Sequence, residues 1–255
     1  MLLYNAVALL AATLAVRSQT LYLAGDSTMA PSSGVIQGWG TAVGRYLSIT
    51  TVNKGVGGES ARSYTNNGRF NEIINVVKPG DFVVFEFGHN DVSAGSGNPD
   101  NGKQDAVGDG YDITATVTAA NGTQILIHSF AYYIENAINA VAAKGGISII
   151  SSLTPHNSFV NGNIGFDGGR FQTYAKSIGT RKNIVYVDHY SYTAQAFNAL
   201  GQTKVATFFP DDALHFNAAG ADVVAQAFIK GLLCSTSTLK IKVNSAGPNV
   251  PNGCL

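Results

Sequence analysis

A three-layer α/β/α sandwich around a parallel sheet is the fold that this 255-residue sequence predicts. Three observations carry it. Short, β-rich apolar runs alternate with stretches whose apolar residues recur at helical spacing, which implies parallel strands joined by helical crossovers. Right-handed crossovers then put helices on both faces of the sheet. Hydrophobic residues make up 45% and charged residues 13%, which suits one folded domain with a sizeable core. Finally, successive apolar runs end on glycine followed by small polar residues, and in such sheets the working groups sit at the carboxyl ends of the strands.

The elements follow in order. Residues 6–16 form an eleven-residue apolar run broken only by Thr13 and closed by Arg17, Ser18 and Gln19. It is too short to span a bilayer and has the length of a secretory h-region. Residues 1–18 therefore read as a leader cleaved near Ser18 or Gln19, and residues 19–255 as a single secreted, extracellular domain. Strands are predicted at residues 21–24, 49–52, 82–87, 147–152 and 184–187. Helices are predicted at 41–47, 70–77, 129–144, 170–178, 191–200 and 218–233. The 129–144 helix (SFAYYIENAINAVAAK) stops at Gly145-Gly146, a C-cap signal, and Asn217 is the N-cap candidate of the last helix. Residues 91–112, rich in Gly, Asn and Asp, form a long loop after the third strand, of a length usually tied to function or mobility.

Lys plus Arg and Asp plus Glu number 16 each, so no basic excess exists to displace counterions from nucleic acid. No apolar run besides the leader approaches a membrane span. Neither nucleic acid nor a membrane is expected as a partner, and a monomer is expected. The two cysteines, Cys234 and Cys254, lie in the last 22 residues and read as one disulfide stapling a polar tail to the end of the last helix. A loop of that size contributes roughly 3 kcal/mol in the chain-entropy model. Asn121-Gly122-Thr123 is the only glycosylation sequon and marks Asn121 as a surface position in a secreted chain.

The strand ends carry the chemistry. The first runs into Gly25-Asp26-Ser27, the second into Gly55-Val56-Gly57-Gly58, the third into Gly88-His89-Asn90-Asp91, and Asp211-Asp212-Ala213-Leu214-His215 precedes the last helix. A serine hydroxyl needs a base within hydrogen-bond reach, and a histidine needs an acid to fix its tautomer. Asp212 and His215, three residues apart, can meet on one turn and leave the second ring nitrogen facing Ser27. Main-chain N–H groups of Ser27 and Gly58, with the Asn90 amide, can supply an oxyanion hole. The glycine-rich stretch lacks the third glycine of a dinucleotide loop, and no H-E-x-x-H exists, so neither cofactor nor metal is expected. The elbow G-x-S-x-G is absent too, since Met29 and Arg62 stand where the second glycine belongs. Paired carboxylates for glycoside hydrolysis cannot be singled out, and His89, His128, His156 and His189 read as structural.

These four blocks resemble those of the SGNH hydrolases, also called GDSL esterases. LAGDSTMA, SARSY, GRF, EFGHND, VDHYSY and the closing cysteine pair are similar to the rhamnogalacturonan acetylesterase branch of that family across residues 20–255. The resemblance implies a flavodoxin-like, five-stranded parallel sheet, with Ser27 as nucleophile, His215 as base, Asp212 as its orienter, and Ser27, Gly58 and Asn90 as oxyanion donors. It implies an acetylated pectin polysaccharide as substrate. Ala213 and Leu214 are apolar where the family carries polar residues, which leaves the polysaccharide open; acetylated xylan, a longer acyl ester, or non-catalytic carbohydrate binding are the other readings.

Overall fold

A computed structural model of the chain describes residues 18–31, 34–247 and 253–255. The expected leader, residues 1–18, lies outside the described residues except for Ser18; Gln19, which follows it, donates its side-chain amide to Gly80 O at 2.8 Å. In chain order the strands are β1 (Thr20–Gly25), β2 (Thr50–Asn53), β3 (Phe82–Glu86), β4 (Val92–Ser93), β5 (Gln104–Asp105), β6 (Thr114–Thr118), β7 (Gln124–His128), β8 (Ile147–Ser151) and β9 (Val185–Val187). The α-helices are α1 (Ala61–Asn66), α2 (Arg69–Ile74), α3 (Phe130–Ala143), α4 (Arg170–Lys182), α5 (His189–Leu200), α6 (Gln202–Ala206) and α7 (Ala218–Cys234).

The five strands foreseen from the sequence pair in the order β2-β1-β3-β8-β9, all parallel. Every residue of β3 (FVVFE) is buried, because both faces of the sheet are covered. Alternate side chains split between two cores. Leu21, Leu23, Phe82, Val84 and Ile149 pack with Trp39, Phe197, Val224 and Phe228, under α5 and α7. Ala24, Val83, Phe85 and Ile150 pack with Tyr64, Phe70, Phe130, Ile134 and Ile178, under α1 to α4. No helix of the described residues is long and apolar enough to cross a membrane.

Several elements depart from the sequence reading. Residues 41–47 are not one helix but part of two 3₁₀ turns, Trp39–Thr41 and Val43–Tyr46; Gly40 and Gly44 lower the helical propensity there. Helix α1, unforeseen, starts at a Ser60 capping box closed by Ser63 instead of the usual Glu or Gln. Helix α4 runs on to Lys182, where Arg181 pairs with Glu135 and Asp109. Helix α7 begins at Ala218 on the expected Asn217 cap, whose side chain accepts from Ala219 N and Gly220 N.

The segment after β3 is not a plain loop. It holds the β4–β5 pair and leads into a β6–β7 hairpin whose exposed turn contains Asn121-Gly122-Thr123. Cys234 and Cys254 form the expected disulfide, 20 residues apart. The tail it closes lies against residues 46–48 through Ser48 N–Lys242 O (2.8 Å) and Asn244 N–Tyr46 O (2.9 Å).

Candidate active site

The carboxyl ends of β1, β2 and β3 and the segment before α7 converge on Ser27. Gly25 ends β1 where no side chain fits: a Cβ there would stand 2.8 Å from Glu86 O and 2.7 Å from Met29 Sδ. The buried Asp26 then turns the chain. Its Oδ1 accepts from Thr28 N and Thr28 Oγ1, both at 2.9 Å, while Met29 N and Ala30 N donate to Asp26 O. Ser27 is left at the outer corner of this turn, partly exposed.

Asp212 faces it from the far end of the sequence. Its Oδ1 accepts from Leu214 N and His215 N, each at 2.7 Å, and its Oδ2 lies 2.6 Å from His215 Nδ1. His215 Nε2 lies 2.8 Å from Ser27 Oγ. With Nδ1–H donating to the carboxylate, Nε2 is the acceptor for the serine hydroxyl. Partial desolvation of Asp212 is outweighed by hydrogen bonds from the His215 main chain and ring and from Leu214 N, so its pKa falls to about 2. Phe216, fully buried, anchors the segment, and Asn157 N donates to Ala213 O at 2.8 Å. The main chain at Ala213 is thus engaged by the loop after β8.

The oxyanion candidates lie on the same side. Gly58 has φ +77°, a conformation that glycine adopts without strain, and a Cβ on the preceding Gly57 would stand 3.9 Å from the Ser27 Cβ. Asn90 Nδ2 donates one hydrogen to Glu59 O at 3.2 Å and keeps its second free. Among the described residues, neither Ser27 N nor Gly58 N finds an acceptor within the protein. Ser27, Gly58, Asn90, Asp212 and His215, the residues singled out in the sequence, are therefore brought to one place.

Acids there do supporting work that the sequence reading passed over, beside histidines that it took as structural. Asp91 Oδ1 accepts from Ala61 N at 2.8 Å and so ties β3 to the start of α1; its position directly after Asn90 was the available signal. Glu59 accepts from Ser63 Oγ and from Asn67 Nδ2, which fixes the loop carrying Gly58. His89 lies near the triad, its Nε2 3.3 Å from Thr154 Oγ1; desolvation, then the neighbouring His156 and His215, push its pKa down to about 3. His128 stacks on Tyr132 at 3.8 Å, and His189 is buried against Glu86 at 2.7 Å.

Burial raises the Asp26 pKa from 3.8 to about 6, against the hydrogen bonds from Thr28. The folded protein then holds this proton more tightly than the unfolded chain, so the stabilisation is complete below about pH 3.8 and lost as pH rises through about 6. An asparagine would keep the Oδ1 bonds and cannot ionise. D26N should therefore lose less stability than the wild type between about pH 4 and pH 7, by about 3 kcal/mol in urea titrations. Identical pH slopes in the two proteins would contradict this. His89 shifts stability in the opposite sense but is common to both and cancels.

Comparison with known proteins adds to this geometry. Residues 23–223 match the GDSL-like Lipase/Acylhydrolase family. A rhamnogalacturonan acetylesterase from Emericella nidulans is 46% identical over 218 residues, covering 86% of each chain. Among solved structures, the YxiM protein of Bacillus subtilis superposes with a TM-score of 0.67 at 23% identity, over 85% of this chain but 56% of its own. The acetylxylan esterase Axe2 from Geobacillus stearothermophilus superposes with a TM-score of 0.56 at 17% identity, over 89% of this chain and 97% of its own. At these identities the two structures attest the fold alone, a three-layer α/β/α sandwich.

Proposed function

The chain belongs to the GDSL-like lipase/acylhydrolase family and is a carboxylic ester hydrolase, and from that premise we propose that it is a secreted serine esterase that removes acetyl groups from rhamnogalacturonan by acyl transfer through Ser27, His215 and Asp212. The observation that carries this reading is the hydrogen-bonded line Ser27 Oγ–His215 Nε2 (2.8 Å) and His215 Nδ1–Asp212 Oδ2 (2.6 Å) beside free main-chain donors. The 46% identical relative supports the substrate, and the apolar run at residues 6–16 supports secretion.

In the proposed reaction, Ser27 Oγ attacks the acetyl carbonyl carbon as its proton passes to His215 Nε2. Asp212, ionised down to about pH 2, stabilises the imidazolium and holds its orientation. Negative charge on the carbonyl oxygen meets the N–H groups of Ser27 and Gly58 and the second amide hydrogen of Asn90. Collapse of the tetrahedral intermediate breaks the bond to the sugar oxygen, which takes the proton from Nε2. Water, deprotonated by the same ring, then attacks the acetyl-enzyme, releasing acetate and restoring the serine.

Acetate release from acetylated rhamnogalacturonan and acetylated xylan, with hydrolysis of 4-nitrophenyl acetate, butyrate and octanoate, tests this. Faster release from rhamnogalacturonan than from xylan, and acetyl preferred over octanoyl, are expected. Preference for octanoyl would instead mark a lipase.

A further inference from the structure

The segment after β3 brings a cation to the oxyanion loop. A Cβ built on Gly58 would stand 3.6 Å from Lys103 Nζ. Lys103 is half-buried, and among the described residues its ammonium makes no ion pair and donates no side-chain hydrogen bond. Neighbouring acids have other partners: Glu59 has Ser63 and Asn67, Asp100 has Arg62, and Asp91 has Ala61 N at its Oδ1, its Oδ2 being buried without a partner. Its main chain is held on both sides. Arg62 clasps Asp100 through two bonds of 3.0 and 2.8 Å and donates to Gln104 O, while Gln104 binds Gly95 N and Gly97 O. Asp105 pairs with Arg170 at 3.1 Å. An ammonium on so fixed a mount, with no anion among the described residues to meet it, is arranged for an anion that arrives with the substrate.

We propose that Lys103 is a specificity-determining residue that binds a sugar carboxylate next to the scissile acetyl ester. The inference rests on the proposed function, since it makes the substrate a polyuronate in which the acetylated residue or its neighbour bears a free carboxylate. It assigns to the long segment after β3 a direct role in substrate choice.

The test is competitive inhibition of 4-nitrophenyl acetate hydrolysis by unacetylated galacturonate oligosaccharides, as free acids and as methyl esters. For the wild type, the free acids should bind about tenfold more tightly than the methyl esters, the scale of one charge-assisted hydrogen bond. In K103Q the preference should vanish, and in K103R most of it should remain. Equal inhibition by both forms in the wild type, or a preference that survives K103Q, would overturn the proposal. Failure to release acetate from rhamnogalacturonan, with the charge-dependent inhibition intact, would remove the deacetylation reading and leave the Lys103 site standing.

Discussion

Replacing Ser27 with alanine is expected to lower kcat on an acetyl ester by roughly four to six orders of magnitude, and replacing His215 with alanine by a similar factor. The reason is geometric. His215 Nε2 has Ser27 Oγ at 2.8 Å, and the ring is held from behind by an acid that also binds the His215 and Leu214 amides. Without the ring, the hydroxyl keeps its proton and is a poor nucleophile; without the hydroxyl, the ring has nothing to activate. The two losses should not add: the double variant should be about as active as either single one, because the residues act as a unit. KM should change little, since neither side chain is asked to bind the ground state more tightly than the transition state. Measured kcat and KM for the three variants check this, and additive losses would show that the residues do not cooperate.

The second large effect is expected on stability, from Glu86. This carboxylate lies at the end of β3, opposite Gly25, and is almost wholly buried. Its Oε1 accepts from Trp39 Nε1 at 2.7 Å, and its Oε2 accepts from Ser151 Oγ at 2.6 Å and lies 2.7 Å from His189 Nδ1. The other ring nitrogen lies 2.9 Å from Val224 O, which can only accept, so Nε2 carries a proton. One carboxylate thus gathers β8, the Trp39 turn and α5 beneath the catalytic end of the sheet. E86A would leave an indole N–H, a hydroxyl and an imidazole without their partner in an apolar interior, at a cost of about 3–5 kcal/mol. For a chain of this size that is a fall in Tm of about 10 °C. E86Q should cost much less, because Oε1 can still accept from Trp39 and the amide can donate to a neutral His189. Thermal unfolding of both variants decides it: equal losses would mean that the charge, not the hydrogen bonding, is what the core needs.

The strand ends were legible in the sequence because one pattern repeats there: an apolar run that must be buried, then glycine and a small polar residue that can turn. Ser27, Gly58 and Asn90 follow from that repetition, and the Asp212–His215 spacing reflects how far one turn reaches. What could not be read depends on contacts distant in sequence. Arg62 and Asp100 are 38 residues apart, and their pairing helps to fix the segment that carries Lys103 over Gly58. Glu86 reads as the polar end of a strand until Trp39 and His189 are folded around it. The β6–β7 hairpin was hidden for a local reason. Its strands are half exposed and short, and their Asn-Gly turn signal was read as a sequon.

The central claim is that Ser27 is the nucleophile that His215 activates, and covalent labelling with an organophosphate tests it most directly. Mass spectrometry of the inhibited protein should find one adduct, on the peptide containing Ser27, forming in step with loss of esterase activity. The adduct should be absent from S27A and form far more slowly in H215A. An adduct on another serine, or full labelling at an undiminished rate in H215A, would contradict it.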